Sequence, residues 1–158
     1  RDVDRTVLHE IEGHVAPRHA AAGAKLALFA VATARGLDDQ EGRALALERA
    51  AGFLDGPRRR ELSLRHVAAR SVEQRADVLD TVQLLRRHGA PLPDALRIAA
   101  RVHRGGGLAR EVVYMPALLR VEDARRRDPA LDRVLAMGRI SVEAAPALAG
   151  RLSSAPGA

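Results

Sequence analysis

The stretch VLHEIEGHVAP, residues 7–17, decides how the first helix is built, because it places two histidines five positions apart. Residues five apart in a regular α-helix lie about 140° apart around the axis, so His9 and His14 cannot bind one ion from an undistorted helix. A π-bulge would rotate them onto one face, and such bulges are frequent at functional sites. Gly13 eases that distortion. Two alternatives stay open: a bulged metal-binding helix, or a solvated helix in which Glu10 and His14 form a polar pair.

The residue types in this stretch suit a catalytic zinc site. Such a site takes three protein ligands and leaves one position open for water. His9 and His14 supply two nitrogens, and Glu10, beside a ligand but pointing differently, suits a general base. The chain has no cysteine, so a transition metal would need His, Asp or Glu as ligands. A third ligand has to come from elsewhere in the chain.

The charge balance gives little support to nucleic-acid binding. The 158 residues carry a formal net charge of +6, but the 26 basic and 20 acidic residues are interspersed. That pattern is typical of a solvated mixed-charge surface. Only 2% of the residues are aromatic, which leaves too few rings for a base-stacking platform. A nucleic-acid partner is therefore not expected, and a weak basic nucleic-acid binder is kept only as a rival interpretation.

No stretch of the sequence predicts a membrane segment. The longest apolar run, around LALFAVA at residues 26–32, is far shorter than the roughly 20 residues that cross a bilayer. No signal-peptide pattern opens the sequence. The absence of cysteine fits a reducing cytosol, so we expect a cytoplasmic protein. The sequence leaves the oligomeric state open.

Alanine, leucine and arginine dominate, and apolar residues recur every three to four positions, which predicts a mainly α-helical fold without a sheet of consequence. Pro17 ends the first predicted helix, and Asp38 and Ser71 act as N-caps. DGPRRR, residues 55–60, is a predicted turn. We expect one domain over residues 1–152 and a disordered tail over 153–158. The predicted helices cover about 2–16, 18–34, 38–54, 71–89, 93–102, 110–127 and 129–137, with a short helix from 61 and another from 141.

The segment DDQEGRALALE, residues 38–48, follows downstream of the histidines. Together with HEIEGH it resembles the flavohemoglobin expression-modulating QEGLA-motif family of metallopeptidases, relatives of the tubulin tyrosine carboxypeptidases. In that family an HExxxH helix is followed by a (Q/E)EGLA segment. The residues that match this segment are Gln40, Glu41, Gly42 and Ala44, while Arg43 replaces the usual leucine.

Two later segments extend the resemblance. VHRGGG at 102–107 and REVVYMPALLRV at 110–121 are similar to the family's Arg-Gly pair and Lys-Asp-x-x-Tyr-like stretch. LAMGRIS at 135–141 is similar to its closing Gly-Lys segment. Three ordered matches are far more specific together than any one alone. The residues concerned are Arg104, Gly105 and Tyr114, which match, and Arg110 and Glu111, which stand for Lys and Asp.

The resemblance implies that His9 and His14 bind zinc, that Glu10 is the general base and that Glu41 completes the metal site. Glu41 has a competing structural role, because a capping-box glutamate would close on Asp38. Glu48, further along the same helix, is the fallback third ligand. Either carboxylate would complete a set of nitrogen and oxygen donors.

Two residues of the later segments are candidates for holding the substrate. Arg104 would clamp a peptide carboxylate in a bidentate pair, and the hydroxyl of Tyr114 would support the developing oxyanion. Their structural alternatives are a surface arginine after a helix and a half-buried tyrosine.

The resemblance thus implies a zincin-like, multi-helical piece of a zinc metallopeptidase that hydrolyses peptide bonds of a peptide or protein substrate, in a carboxypeptidase-like manner. We expect it to be the C-terminal portion of a longer protein whose upstream, strand-containing segment forms one wall of the cleft. The alternative is a helical interaction module that keeps the same scaffold with impaired catalysis.

Overall fold

The structure is a computed structural model that describes residues 2–24, 26–104 and 108–153, apart from the side chains of 108–110 and 151–153. No strand occurs within these ranges, and the predicted mainly α-helical fold is confirmed. None of the described helices is long and apolar enough to span a membrane. Along the chain the helices are α1 (Asp2–Val7), a π-helix (Leu8–Val15), α2 (Ala16–Ala22), a short 3₁₀-helix (Ala27–Phe29), α3 (Gly36–Ala50), α4 (Gly56–Glu73), α5 (Val78–Arg87), α6 (Leu92–His103), α7 (Leu108–Arg127), α8 (Leu131–Leu135) and α9 (Ala145–Ser153).

The chain forms two compact units. The first unit comprises residues 1–54 and 116–158, and the second unit comprises residues 55–115. The assignment of residues 1–152 to one domain stays a prediction. Of the tail over 153–158 that we expected to be disordered, Ser153 is the last residue of α9, and residues 154–158 lie outside the described residues.

Helix α3 lies at the centre of the first unit. Its apolar residues Ala44 and Leu45 are fully buried, as are Leu118 and Val121 of α7. Unlike an ordinary core helix, α3 also buries polar and charged side chains. Buried charges are stable only with partners, so these side chains indicate specific pairing inside the unit. They belong to Asp39, Gln40, Glu41, Arg43 and Glu48, none of which is more than 8% exposed.

Asp39 shows how such a charge is satisfied. Its Oδ1 accepts hydrogen bonds from Nε and Nη2 of Arg120 at 3.1 and 2.8 Å, and its Oδ2 accepts from the backbone N–H of Val142 at 2.9 Å. The side chain of Asp39 is 0% exposed. These bonds join the start of α3 to α7 and to the segment before α9.

Two glycines let α3 approach its neighbours closely. A Cβ on Gly42 would lie 2.4 Å from the carbonyl oxygen of Ala117, and a Cβ on Gly13 would lie 2.5 Å from Cβ of Ala44. Real Cβ atoms do not tolerate such contacts, so only glycine permits this packing. The Gly and Ala of the QEG-x-A segment therefore seat α3 against α7 and the π-helix.

The second unit has its own apolar core, in which α4, α5 and α6 contribute Ala68, Leu85 and Ile98. Glu111, 2% exposed, accepts hydrogen bonds from Nε and Nη2 of Arg65 at 2.6 and 2.7 Å. It also accepts from Nε of Arg101 at 2.7 Å. The carboxylate is therefore satisfied by two guanidinium groups within this unit.

The predicted boundaries of the first helices were wrong. Helicity does not end at Pro17 but continues through α2 to Ala22, because Pro17 lies in the first turn of α2, a position that tolerates proline. The predicted helix over 18–34 is replaced by α2, a turn and the 3₁₀-helix. Helix α3 begins at Gly36, after Arg35 in the left-handed region at φ 61°, so Asp38 is in the first turn and is not an N-cap.

Two further boundaries differ from the prediction. DGPRRR is not a turn, because Asp55 accepts a hydrogen bond from the N–H of Arg58 at 3.0 Å and caps α4 from Gly56 onward. Ser71 lies near the end of α4, where its hydroxyl donates to the carbonyl of Ala68. Asp77 caps the following helix instead.

Candidate metal centre

The distortion that the histidine spacing required is present. Residues Leu8–Val15 form a π-helix, and the N–H of Ala16 donates to the carbonyl of Ile11, five residues earlier. The extra residue in the turn brings the imidazoles of His9 and His14 together, with ring centroids 5.0 Å apart and planes inclined at 62°. The alternative of an undistorted solvated helix is therefore wrong.

Both imidazoles point at one carboxylate oxygen. The Nε2 atom of His9 and the Nε2 atom of His14 each lie 3.4 Å from Oε2 of Glu41. One ligand atom from each of the three residues lies within 4.8 Å of the other two. Helix α3 starts before Asp38, so Asp38 is not its N-cap and Glu41 does not form the expected capping box with it.

These separations fit a tetrahedral metal better than they fit direct hydrogen bonds. Zinc bonds to imidazole and carboxylate place neighbouring ligand atoms about 3.3–3.5 Å apart, whereas charge-assisted N–H···O bonds are about 2.7–2.9 Å long. Two nitrogens and one oxygen, with His14 still 23% exposed on its side chain, make a three-ligand set with an accessible side. His9, His14 and Glu41 could therefore hold a metal ion such as zinc.

Glu48 orients the first histidine. Its Oε1 atom lies 2.8 Å from Nδ1 of His9, the ring nitrogen that does not face Glu41, and its side chain is 1% exposed. A histidine whose second nitrogen is held by a carboxylate has a fixed ring orientation and is a more basic ligand. Glu48 therefore contacts His9 at the ring nitrogen that faces away from the cluster. The third donor of the cluster is Glu41 and not Glu48.

The carboxylates and imidazoles shift one another's proton affinity. Burial alone would lower the pKa of His9, but the carboxylates of Glu41 and Glu48 outweigh it and raise the pKa to about 9. The Glu41 carboxylate raises the pKa of His14 against the opposing effect of burial. Burial would raise the pKa of Glu41, but the two imidazoles lower it to about 2. A cation at this centre therefore competes with protons on the imidazoles.

The remaining predicted residues lie outside this cluster. Glu10 is on the π-helix directly after His9, and its side chain is exposed. Arg104, also exposed, caps the C-terminal end of α6 in the second unit. Tyr114 is half-buried in the second unit, where the guanidinium carbon of Arg65 lies 5.6 Å from its ring centroid. Gly105 lies outside the described residues. The catalytic and substrate-binding roles of Glu10, Arg104 and Tyr114 stay predictions.

Sequence reasoning missed two contacts of this centre. The pairing of Glu48 with His9 had a signal, because Glu41 and Glu48 are seven positions apart and share a face of α3. The contact of Arg43, whose Nη1 donates to the carbonyl of Glu12 at 2.9 Å, had none, because a side chain bonded to backbone leaves no sequence pattern.

Comparisons with known proteins agree with the resemblance seen in the motifs. A family model described as microtubule-associated tyrosine carboxypeptidase matches residues 1–154. No curated protein and no solved structure matches the chain. The match extends over nearly the whole chain, from the histidine helix past the end of α9. The chain therefore belongs to the microtubule-associated tyrosine carboxypeptidase family.

Proposed function

We propose that this chain hydrolyses the C-terminal peptide bond of a peptide or protein substrate, with a zinc ion held by His9, His14 and Glu41. The observation that carries the proposal is the convergence of two Nε2 atoms on one oxygen of Glu41, each at 3.4 Å. The family description supports carboxypeptidase chemistry in particular. When bound, zinc supplies a Lewis acid that polarises a carbonyl and lowers the pKa of water.

Glu10 is the proposed general base. Its carboxylate would accept the proton of the attacking water and deliver it to the leaving amine. Its position supports this role, because it directly follows His9 on the π-helix and its side chain is exposed to incoming substrate and water.

Arg104 and Tyr114 are proposed to handle the substrate. A guanidinium forms two parallel hydrogen bonds with a carboxylate, so Arg104 would select peptides with a free C-terminus. The hydroxyl of Tyr114 would donate to the oxyanion that develops at the scissile carbonyl. The contact between Arg65 and the Tyr114 ring supports a packing role as well, and the two roles use different parts of the side chain.

We also propose that the protein is cytoplasmic and that its substrate has an extended, free C-terminal end. The helical interaction module is the alternative. An interaction module needs neither a metal ion nor Glu10, so metal binding and the effect of changing Glu10 distinguish it from a peptidase.

The proposal is tested with a synthetic peptide that ends in tyrosine and the same peptide with an amidated C-terminus. Zinc-loaded protein should release tyrosine from the first peptide and not from the second. Glu10→Gln should keep zinc and lower release by about 10²–10⁴-fold, since it removes the base alone. Glu143→Gln is the matched control, because Glu143 is an exposed carboxylate outside the centre and pairs with Arg35 at 3.6 Å.

Unchanged release by Glu10→Gln would remove Glu10 as the base. Absence of both zinc binding and hydrolysis in the wild-type protein would favour the interaction module.

A further inference from the structure

A contact outside the donor set joins the π-helix to α3. The side chain of Arg43 is 10% exposed, and its Nη1 donates to the backbone carbonyl of Glu12 at 2.9 Å. Glu12 lies inside the π-helix, between the two histidines. Arg43 therefore reaches from α3 to the backbone of the segment that carries both imidazoles.

The π-helix cannot supply a backbone donor for this carbonyl. In the π register each carbonyl pairs with the N–H five residues later, and for Glu12 that residue is Pro17, which has no N–H. The N–H four residues later belongs to Ala16 and donates to Ile11 instead. The guanidinium of Arg43 thus donates the hydrogen bond that Pro17, which lacks an N–H, cannot donate.

The other edge of the guanidinium faces a carboxylate. Nε of Arg43 lies 3.7 Å from Oδ1 of Asp132 on α8, and the same oxygen lies 3.5 Å from Nε of Arg125. Asp132 therefore lies within ion-pair distance of Arg43, without a hydrogen bond to its Nε. The leucine that the QEGLA motif has at this position could make neither contact, because it has no donor.

We infer that Arg43 is a positioning residue that fixes the π register of Leu8–Val15 and thereby keeps His9 and His14 convergent. Return of the segment to an α register would place the two imidazoles about 140° apart around the axis, where one ion cannot reach both. Loss of the Arg43 contact should therefore weaken metal binding without removing any ligand. The inference rests on the proposed metal site, but the contact itself exists without an ion.

The test compares three variants of the full chain. Arg43→Met keeps length and removes the donor, Arg43→Lys keeps a donor, and Arg49→Met removes an arginine of the same helix that pairs with Glu122 instead. Zinc dissociation constants are measured by competition with a chelator. Amide hydrogen exchange of residues 8–16 is measured on the metal-free proteins.

Arg43→Met should weaken zinc binding about 10–100-fold, the usual effect of removing a group that supports a ligand, and should speed exchange at Ala16. The zinc affinity and amide exchange of Arg43→Lys should be closer to those of the wild type, and those of Arg49→Met should equal the wild-type values. Wild-type zinc affinity and exchange in Arg43→Met would overturn the inference, and so would equal losses in Arg43→Met and Arg43→Lys.

The exchange measurement separates this inference from the proposed function. A wild-type protein that binds no zinc would end the metal proposal, while faster exchange in Arg43→Met would still establish the contact with the π-helix. If Arg43→Met does not fold, NMR of the wild type decides. A guanidinium proton of Arg43 that exchanges slowly and shows a nuclear Overhauser effect to Glu12 or Gly13 supports the contact, and a freely exchanging guanidinium overturns it.

Discussion

Oε1 of Glu48 lies 2.8 Å from Nδ1 of His9, on the opposite side of the imidazole from Glu41. This pairing fixes which ring nitrogen is available to an ion, because Nδ1 is committed to the carboxylate. Glu48→Gln keeps the shape of the side chain and removes its charge, so zinc binding should weaken about 10-fold or more. A chelator competition assay measures this change.

Glu122→Gln is the control for Glu48→Gln, because Glu122 pairs with Arg49 and with no histidine. Equal zinc affinities for the two variants would show that Glu48 does not support the ligand.

The approach of the π-helix to α3 depends on the absence of a side chain at Gly13. Gly13→Ala would place a methyl carbon 2.5 Å from Cβ of Ala44. Overpacking of this kind costs about 1–3 kcal/mol of unfolding free energy. Denaturant unfolding should show this loss, together with weaker zinc binding as the π-helix moves away from Glu41.

Two further variants check the assignment of that clash. Ala44→Gly alone should cost about 1 kcal/mol through helix propensity, and the double variant should lose less than the sum of the single ones, because the second change makes room for the first. Gly56→Ala, where a Cβ would meet nothing within 4 Å, should be nearly neutral. Additive losses in the double variant would show that the two positions do not clash.

The metal-free protein should be most stable in mildly acidic solution. The raised pKa of His9, about 9 against 6.5, gives a contribution that is complete below pH 6.5 and is lost as the pH rises through 9. The lowered pKa of Glu41, about 2 against 4.5, gives a contribution that is complete above pH 4.5 and is lost as the pH falls towards 2. Thermal unfolding in EDTA should therefore show a maximum between these limits.

His9→Ala should remove the alkaline decline in that profile, since it removes the group responsible. A Tm of the wild-type protein that stays level from pH 6.5 to 9 would contradict the coupling between His9 and the carboxylates.

A single substitution tests the hydroxyl of Tyr114 separately from its ring. Tyr114→Phe keeps the ring against Arg65, whose guanidinium carbon lies 5.6 Å from the centroid, and removes the hydroxyl that is proposed to donate to the oxyanion. We expect kcat to fall by about 10²-fold, with unfolding free energy changed by less than about 1 kcal/mol. An unchanged kcat would assign Tyr114 to packing in the second unit.

The convergence of the histidine pair was predictable because its geometry follows from local spacing, whereas the place of Glu41 was implied only by the resemblance to the QEGLA-motif family. Residues five apart need a π-turn to meet, and the QEG segment supplied a carboxylate on a helix. The close approach of α3 to the π-helix and to α7 was not predictable in the same way. It depends on Gly13 facing Ala44 and Gly42 facing Ala117, which are contacts between distant parts of the chain.

The boundaries that failed did so for separate reasons. Gly23 directly follows Ala22 and is the C-cap of α2, a stop signal that the predicted helix over 18–34 passed over. The chain is held there by tertiary contacts, such as the backbone N–H of Thr33 donating to the carbonyl of Arg139 at 3.1 Å. The predicted N-cap Ser71 lies inside α4 instead, where its hydroxyl is 2.9 Å from that of Thr81 in the second unit.

Zinc stoichiometry tests the central claim most directly. After dialysis against zinc and removal of excess metal, the wild-type chain should retain about one equivalent, as a three-ligand site requires. His9→Ala, His14→Ala and Glu41→Ala should each lose it, while His19→Ala, an exposed histidine on α2, should retain it. Wild-type protein without bound zinc, or equal retention by all four variants, would contradict the metal centre described above.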